Sequence, residues 1–151
     1  MNDRAAGMAR WEPLRLSAGM LTGDERIDSQ HQVLIDILNE LAEQGRDPCD
    51  PHRFDQVTRD LLGYVLFHFE AEEQLIRESG FDVADPAAAQ EHVGQHRGFV
   101  ARVLAMRAEA SAQQSPSQAD LREFLRDWLI HHIGTTDQRL GHFLCAQAVG
   151  R

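Results

Sequence analysis

Residues 64–75 run Tyr-Val-Leu-Phe-His-Phe-Glu-Ala-Glu-Glu-Gln-Leu. Within them His68 and Glu72 stand four apart. At about 100° per residue, that spacing stacks an imidazole and a carboxylate on one helix face, one turn apart. The face is otherwise apolar, with Phe54, Val57, Leu61, Val65, His68, Glu72 and Leu75 following at steps of three or four. A charge in a core-facing stripe is costly unless it is paired or coordinated. Taken alone, the pair also fits a plain hydrogen bond at a helix edge, so the other helices must decide.

Outward from this stretch, start and stop signals recur. Asp50-Pro51 reads as an N-cap followed by proline at the first helical position, and Gly80 is a stop, which predicts a helix over 51–79. Asp85-Pro86 repeats the start signal for a helix over about 86–112, with inward Ala89, His92, His96, Phe99, Val103 and Met106. Upstream, Asp28 is positioned to cap a helix over 29–44 that Gly45 ends, with His31, Leu34, Ile35, Leu38 and Leu41 on its inner face. Residues 45–50 read as a polar loop, and 113–118 as a linker before a fourth helix over about 119–146.

In that last helix Leu121, Leu125, Trp128 and His132 keep the period, and Asp137 follows five residues later, ahead of Leu140 and Leu144. Five residues overshoot a full turn by about 140°, so a regular helix would part His132 from Asp137. A local π-bulge would reunite them, and Gly134 between them favours one. His52, His131 and His142 fall off the inner stripes, and Glu70 and Glu73 read as solvated. The expectation is an all-α, up-down-up-down four-helix bundle over 27–146. An N-terminal arm over 1–26 precedes it, whose Trp11, Leu14, Leu16, Met20 and Leu21 can lie against the core, and a tail over 147–151 follows.

Composition narrows the function classes. A chain of 151 residues with 42% hydrophobic and 26% charged content suits one globular domain. A net charge of −9 without a basic patch argues against nucleic acid or an anionic membrane as partner. No apolar run approaches a membrane span, and the first ten residues lack the apolar segment of a signal peptide. Cys49 and Cys145 are too few for a disulfide framework and match no zinc spacing, so a reduced cytoplasmic protein is expected.

Histidine is the unusual residue. Each helix puts at least one on its inner face: His31, His68, the pair His92 and His96, and His132. With Glu72 and Asp137, the core would bury five imidazoles and two carboxylates without evident partners. One metal ion cannot use seven such ligands, but two can if the carboxylates bridge them. The mixed nitrogen and oxygen set suits iron, manganese or zinc better than copper, and lacks the thiolates of structural zinc. Two six-coordinate ions sharing both carboxylates and one hydroxide would keep a single open position. That is what a small diatomic ligand requires.

The pieces that carry this pattern resemble the hemerythrin family, in its bacterial branch. They are Ile-Asp-Ser-Gln-His at 27–31, His-Phe-Glu-Ala-Glu-Glu at 68–73, His-Val-Gly-Gln-His at 92–96 and Trp-Leu-Ile-His-His-Ile-Gly-Thr-Thr-Asp at 128–137. Trp11 and Gly23 also resemble the family's N-terminal arm, though the arm looks a little long. The resemblance implies two irons as cofactor, one held by His92, His96 and His132 and the other by His31 and His68. Glu72, Asp137 and an oxo or hydroxo group would bridge them. It further implies reversible binding of dioxygen, as a hydroperoxide on the iron with two histidines, for carriage, storage or sensing. Nitric oxide or small anions such as azide are further implied ligands, and the family's use of this domain as the sensory part of larger signalling chains implies a signalling partner or fused output domain as a further kind of partner. Leu34, Phe69, Trp128, Leu129 and Ile133 would form the ligand pocket, where their other reading is ordinary core. Thr135 and Thr136 lie near the bridge, within range to support it. No enzymatic activity is expected. A di-iron oxidase or peroxidase is the competing reading, and a nitric-oxide or iron-response protein a third. No Glu has a His three residues later, which disfavours the ferritin-like carboxylate proteins.

Overall fold

Polar side chains anchor the incoming chain before the first helix begins. In a computed structural model describing residues 12–43, 51–112 and 118–149, the Leu14 backbone N–H donates to Asn39 Oδ1 and the Asn39 amide returns a bond to Leu14 O, both at 2.8 Å. Leu14, Leu16 and Met20 then pack on the core, and a 3₁₀ turn at Ala18–Met20 leads to the first long helix. Trp11, Cys49, Gly45 with its loop, residues 113–117 of the linker and the last two residues lie outside the described residues.

Helix α1 spans Glu25–Glu43 and starts four residues earlier than the capping signal predicts. The cap is Asp24, whose Oδ1 accepts the Ile27 N–H at 3.0 Å. Asp28 instead sits in the first turn and holds the arm. Its carboxylate accepts from the Thr22 N–H and hydroxyl, each at 2.8 Å, and from the Gly23 N–H at 3.3 Å. Gly23 can present that N–H because its φ of 88° lies where a side chain is strained.

Helix α2 covers Pro51–Ser79 as its start and stop signals predict, and Gly80 leaves it at φ 78°. One unforeseen turn follows: α3, Phe81–Ala84, tucks the Phe81 ring against Phe143 at 5.3 Å. Helix α4, Pro86–Ser111, is capped by Asp85, which accepts the Ala88 N–H at 3.1 Å. Helix α5, Gln118–His131, opens with a residue assigned above to the linker. Gln118 is buried there because its amide donates to the Leu41 carbonyl, which tethers the start of α5 to α1. A π-helical turn at His132–Thr136 separates α5 from α6, Asp137–Val149, which runs slightly past the expected helix end.

The long helices close a ring in chain order: α1 packs on α2, α2 on α4, α4 on α5, and α5 back on α1. Neighbours in sequence being neighbours in space, this is the up-down-up-down four-helix bundle. Most of the predicted inner positions are buried, from Leu34, Leu38 and Leu41 through Phe99, Val103 and Met106 to Leu121 and Leu125. Val57, Leu75 and Leu144 are half-buried instead, and Thr58 and Ile76 take the buried places beside the first two. A second, smaller apolar cluster of Ile76, Phe81, Ala88, Ala89 and Leu140 closes one end. Among the described residues, no helix is long and apolar enough to cross a membrane.

Candidate metal centre

Between the two apolar clusters the inner faces turn polar. His31 comes from α1, His68 and Glu72 from α2, His92 and His96 from α4, His132 from the π turn and Asp137 from the start of α6. None of the seven is more than 2% exposed. The sequence places six of them by period alone, and the π turn brings in the seventh. The Asp137 backbone N–H bonds to the His132 carbonyl, five residues back, so both side chains face inward. Polar side chains accommodate the displaced backbone: Thr135 Oγ1 donates to the His131 carbonyl at 2.6 Å, and the Gln138 amide to the Ile133 carbonyl at 3.1 Å.

The seven groups converge through their Nε2 and carboxylate oxygen atoms. Glu72 Oε1 lies 3.1 Å from His31 and 2.9 Å from His68. Its Oε2 lies 2.9 Å from His92, 3.0 Å from His96 and 3.7 Å from His132. Asp137 divides the same way, with Oδ2 at 2.9 Å from His31 and Oδ1 at 3.1 Å from His92 and 3.2 Å from His132. Two overlapping clusters result: His31, His68, Glu72 and Asp137 on one side, and His92, His96, His132 and Glu72 on the other.

This arrangement fits a cation better than it fits hydrogen bonding. His68 Nδ1 faces Gln30 Oε1 at 2.7 Å, His132 Nδ1 faces Gln95 Oε1 at 2.7 Å, and His96 Nδ1 faces Glu73 Oε1 at 3.0 Å. Each partner atom only accepts, so each ring donates from Nδ1 and a neutral ring turns its Nε2 lone pair inward. His96 Nε2 and His132 Nε2 then face one another at 3.2 Å, and both face carboxylate oxygens. Lone pairs so opposed need a positive charge among them. Both Asp137 oxygens lack a hydrogen bond of acceptable direction despite their close nitrogens, as does Nδ1 of His31 and of His92.

Without metal, protons must supply that charge. Burial works against charging His31, but the Asp137 and Glu72 carboxylates push the ring up to about 9, and they do the same for His92. His132 is likewise raised against its burial, chiefly by Asp137. Burial keeps His96 below its usual value. Burial raises both carboxyl groups, as does Glu72 for Asp137, yet the surrounding imidazoles overcome this and hold both below the ordinary carboxylate range.

The expected pocket residues gather on the core side of the centre. Leu34, Phe69, Leu129 and Ile133 are buried in one cluster, with half-buried Trp128 packed against it. Phe69 stacks on His96 at 3.8 Å and Trp128 stacks on His132 at 4.2 Å. His52, His131 and His142 are exposed, as expected, and so is Glu70. Glu73 departs from expectation. Its side chain is 29% exposed rather than solvated, because its carboxylate turns toward α4 and accepts from His96. The sequence reading also missed Gln30 and Gln95, both of which sit immediately before an inward histidine. Thr136 joins this outer layer by donating to Gln95 Oε1 at 2.8 Å, whereas Thr135 serves only the backbone.

Comparison with known proteins points to one family. A family model, the hemerythrin HHE cation binding domain, matches residues 22–144. A bacteriohemerythrin of Stenotrophomonas maltophilia (strain R551-3) is 32% identical over 116 residues, covering 77% of this chain and 71% of the relative. One from Methylococcus capsulatus (Bath) is 29% identical over 119 residues, covering 79% and 86% respectively. The crystal structure of a wild-type hemerythrin superposes with a TM-score of 0.75 over 88% of this chain and 98% of that one, at 24% identity, which is a likeness of fold. The matched segment contains all seven converging residues, and the chain belongs to the hemerythrin family.

Proposed function

We propose that this chain binds dioxygen reversibly at a non-haem di-iron centre. His92, His96 and His132 would hold one iron and His31 and His68 the other, with Glu72 and Asp137 shared between them. One observation carries the reading: each carboxylate offers one oxygen to the two-histidine side and its second oxygen to the three-histidine side. Iron bound there supplies the electrons that make dioxygen binding both strong and reversible. All else is the work of the chain's own residues.

The two sides differ by one imidazole, so a metal on the side of His31 and His68 would have one protein donor fewer, which would leave room there for a diatomic ligand. Leu34, Phe69, Leu129 and Ile133, buried in one apolar cluster with Trp128 packed on it, would keep water from the core side of the centre, which slows loss of the reduced state. None of these five side chains is titratable. These five therefore offer no proton source for onward oxygen chemistry, which supports a binding protein over an oxidase. The bacteriohemerythrin relatives support the same reading.

Iron reconstitution under argon followed by oxygen uptake tests the proposal. Two irons per chain and one dioxygen taken up per iron pair, recovered on evacuation, are expected. A single zinc per chain, or uptake that vacuum does not reverse, contradicts it.

A further inference from the structure

The five inward rings are not backed alike. Gln30 and Gln95 give His68 and His132 neutral amide acceptors, while Nδ1 of His31 and of His92 has none. Of these five rings, His96 is the one that donates Nδ1–H to a carboxylate, Glu73 Oε1 at 3.0 Å. Phe69 lies flat on the same ring, 3.8 Å away and 9° from parallel. One neighbour therefore fixes the ring's plane and the other its rotation. Glu73 reaches this place from the edge of α2, where it lines a groove toward α4 together with Leu66, His96, Arg97 and Leu104. Glu72, one residue earlier, points into the centre.

We infer that Glu73 is a positioning residue for the three-histidine side of the centre, aiming His96 Nε2 inward and strengthening it as a metal donor. This rests on the di-iron reading above. A hydrogen bond to an ionised acceptor is roughly twice as strong as one between neutral groups, and draws the Nδ1 proton toward the oxygen. Electron density left on the ring makes Nε2 the more basic donor. The side with more imidazoles thus also receives the best one. A nearby fixed anion further favours the higher oxidation state of a bound metal, which lowers its reduction potential.

The test compares the full chain with Glu73→Ala, Glu73→Gln and Glu70→Ala, the last removing a neighbouring exposed carboxylate. Zinc affinity is read by chelator competition, the midpoint potential of the iron-loaded protein by spectroelectrochemistry under argon, and folding by circular dichroism. Glu73→Ala should bind one of its two metals about 10–100-fold more weakly. Glu73→Gln, which keeps an acceptor in place, should recover most of that affinity yet show a midpoint potential above the unsubstituted protein's. Glu70→Ala should match the unsubstituted protein in both. Unchanged affinity in Glu73→Ala, or an unchanged potential in Glu73→Gln, overturns the role of Glu73 and leaves the di-iron reading intact. Failure of the unsubstituted chain to take up two metals overturns that reading itself. Should Glu73→Ala not fold, the potential of Glu73→Gln decides.

Discussion

Gln30-His31 and Gln95-His96 are the same dipeptide on two helices, and each places one residue in the centre and the other behind it. The glutamine does not serve the histidine beside it. Gln30 of α1 orients His68 of α2, and Gln95 of α4 orients His132 of the π turn. This crosswise support explains why the inward residues are legible in the sequence and their supports are not. Spacing along one helix reveals which residues share its inner face, and five histidines on apolar faces are conspicuous. Which atom of a neighbouring helix meets Nδ1 depends on how helices are rotated against each other, and periodicity does not encode that. Glu73 is the clearest case. It lies about 100° around the helix from Glu72, which suggests solvent until α4 is packed beside it. Two predictions belong at this scale. Glu72→Ala removes an oxygen from each side of the centre, and metal analysis should find fewer than two metals per chain. Gln95→Leu leaves His132 Nδ1 and Thr136 Oγ1 without their shared acceptor, and chelator competition should show metal binding about 10–100-fold weaker.

Among the elements, the π turn does what a regular helix cannot. Its necessity follows from the five-residue step between His132 and Asp137, and the sequence supplies Gly134 at the place where the helix must widen. Beyond the turn, α6 returns Leu140 to the small apolar cluster. Inserting one alanine after Gly134 should rotate Asp137 and Leu140 by about 100° away from their neighbours. Metal content should then fall below two per chain and the melting temperature should drop. Deleting one residue instead leaves four-residue spacing, compatible with an ordinary helix, and should be the milder change in the same two measurements. The helix starts were less legible than the faces. Asp24 and Asp28 are both acceptable caps on residue type, and the choice between them hangs on Thr22 and Gly23, whose donors take up Asp28. Thermal unfolding should therefore show a loss of about 0.5–2 kcal/mol for Asp24→Ala as a lost cap. Turn α3 had no periodic signal to announce it, since four residues are too few to show one.

For the molecule as a whole, the centre is a cost that metal offsets. Seven polar groups interrupt a core that otherwise packs leucine, valine and phenylalanine from every helix. Metal that binds the folded chain alone stabilises it by mass action, so removal should lower the melting temperature. The metal-free protein should also acquire a pH dependence. His31 and His92 are raised from 6.5 to about 9, so their contribution is fully present below pH 6.5 and is lost as pH rises through 9. Glu72 and Asp137 are lowered from 4.5 and 3.8, so their contribution is present above those values and is lost as pH falls below them. Melting of metal-free protein should therefore peak between roughly pH 4.5 and 6.5 and decline toward 9. Metal-loaded protein should not decline in that alkaline range, because the cations do the work of the protons.

Reversibility is the core of the functional proposal, and repeated oxygenation of one sample measures it. Protein reduced under argon with two irons per chain should gain a visible charge-transfer absorption on exposure to oxygen. It should lose that absorption when flushed with argon, over several cycles. Permanent bleaching after the first exposure, with hydrogen peroxide released into solution, would contradict the account and favour an oxidase.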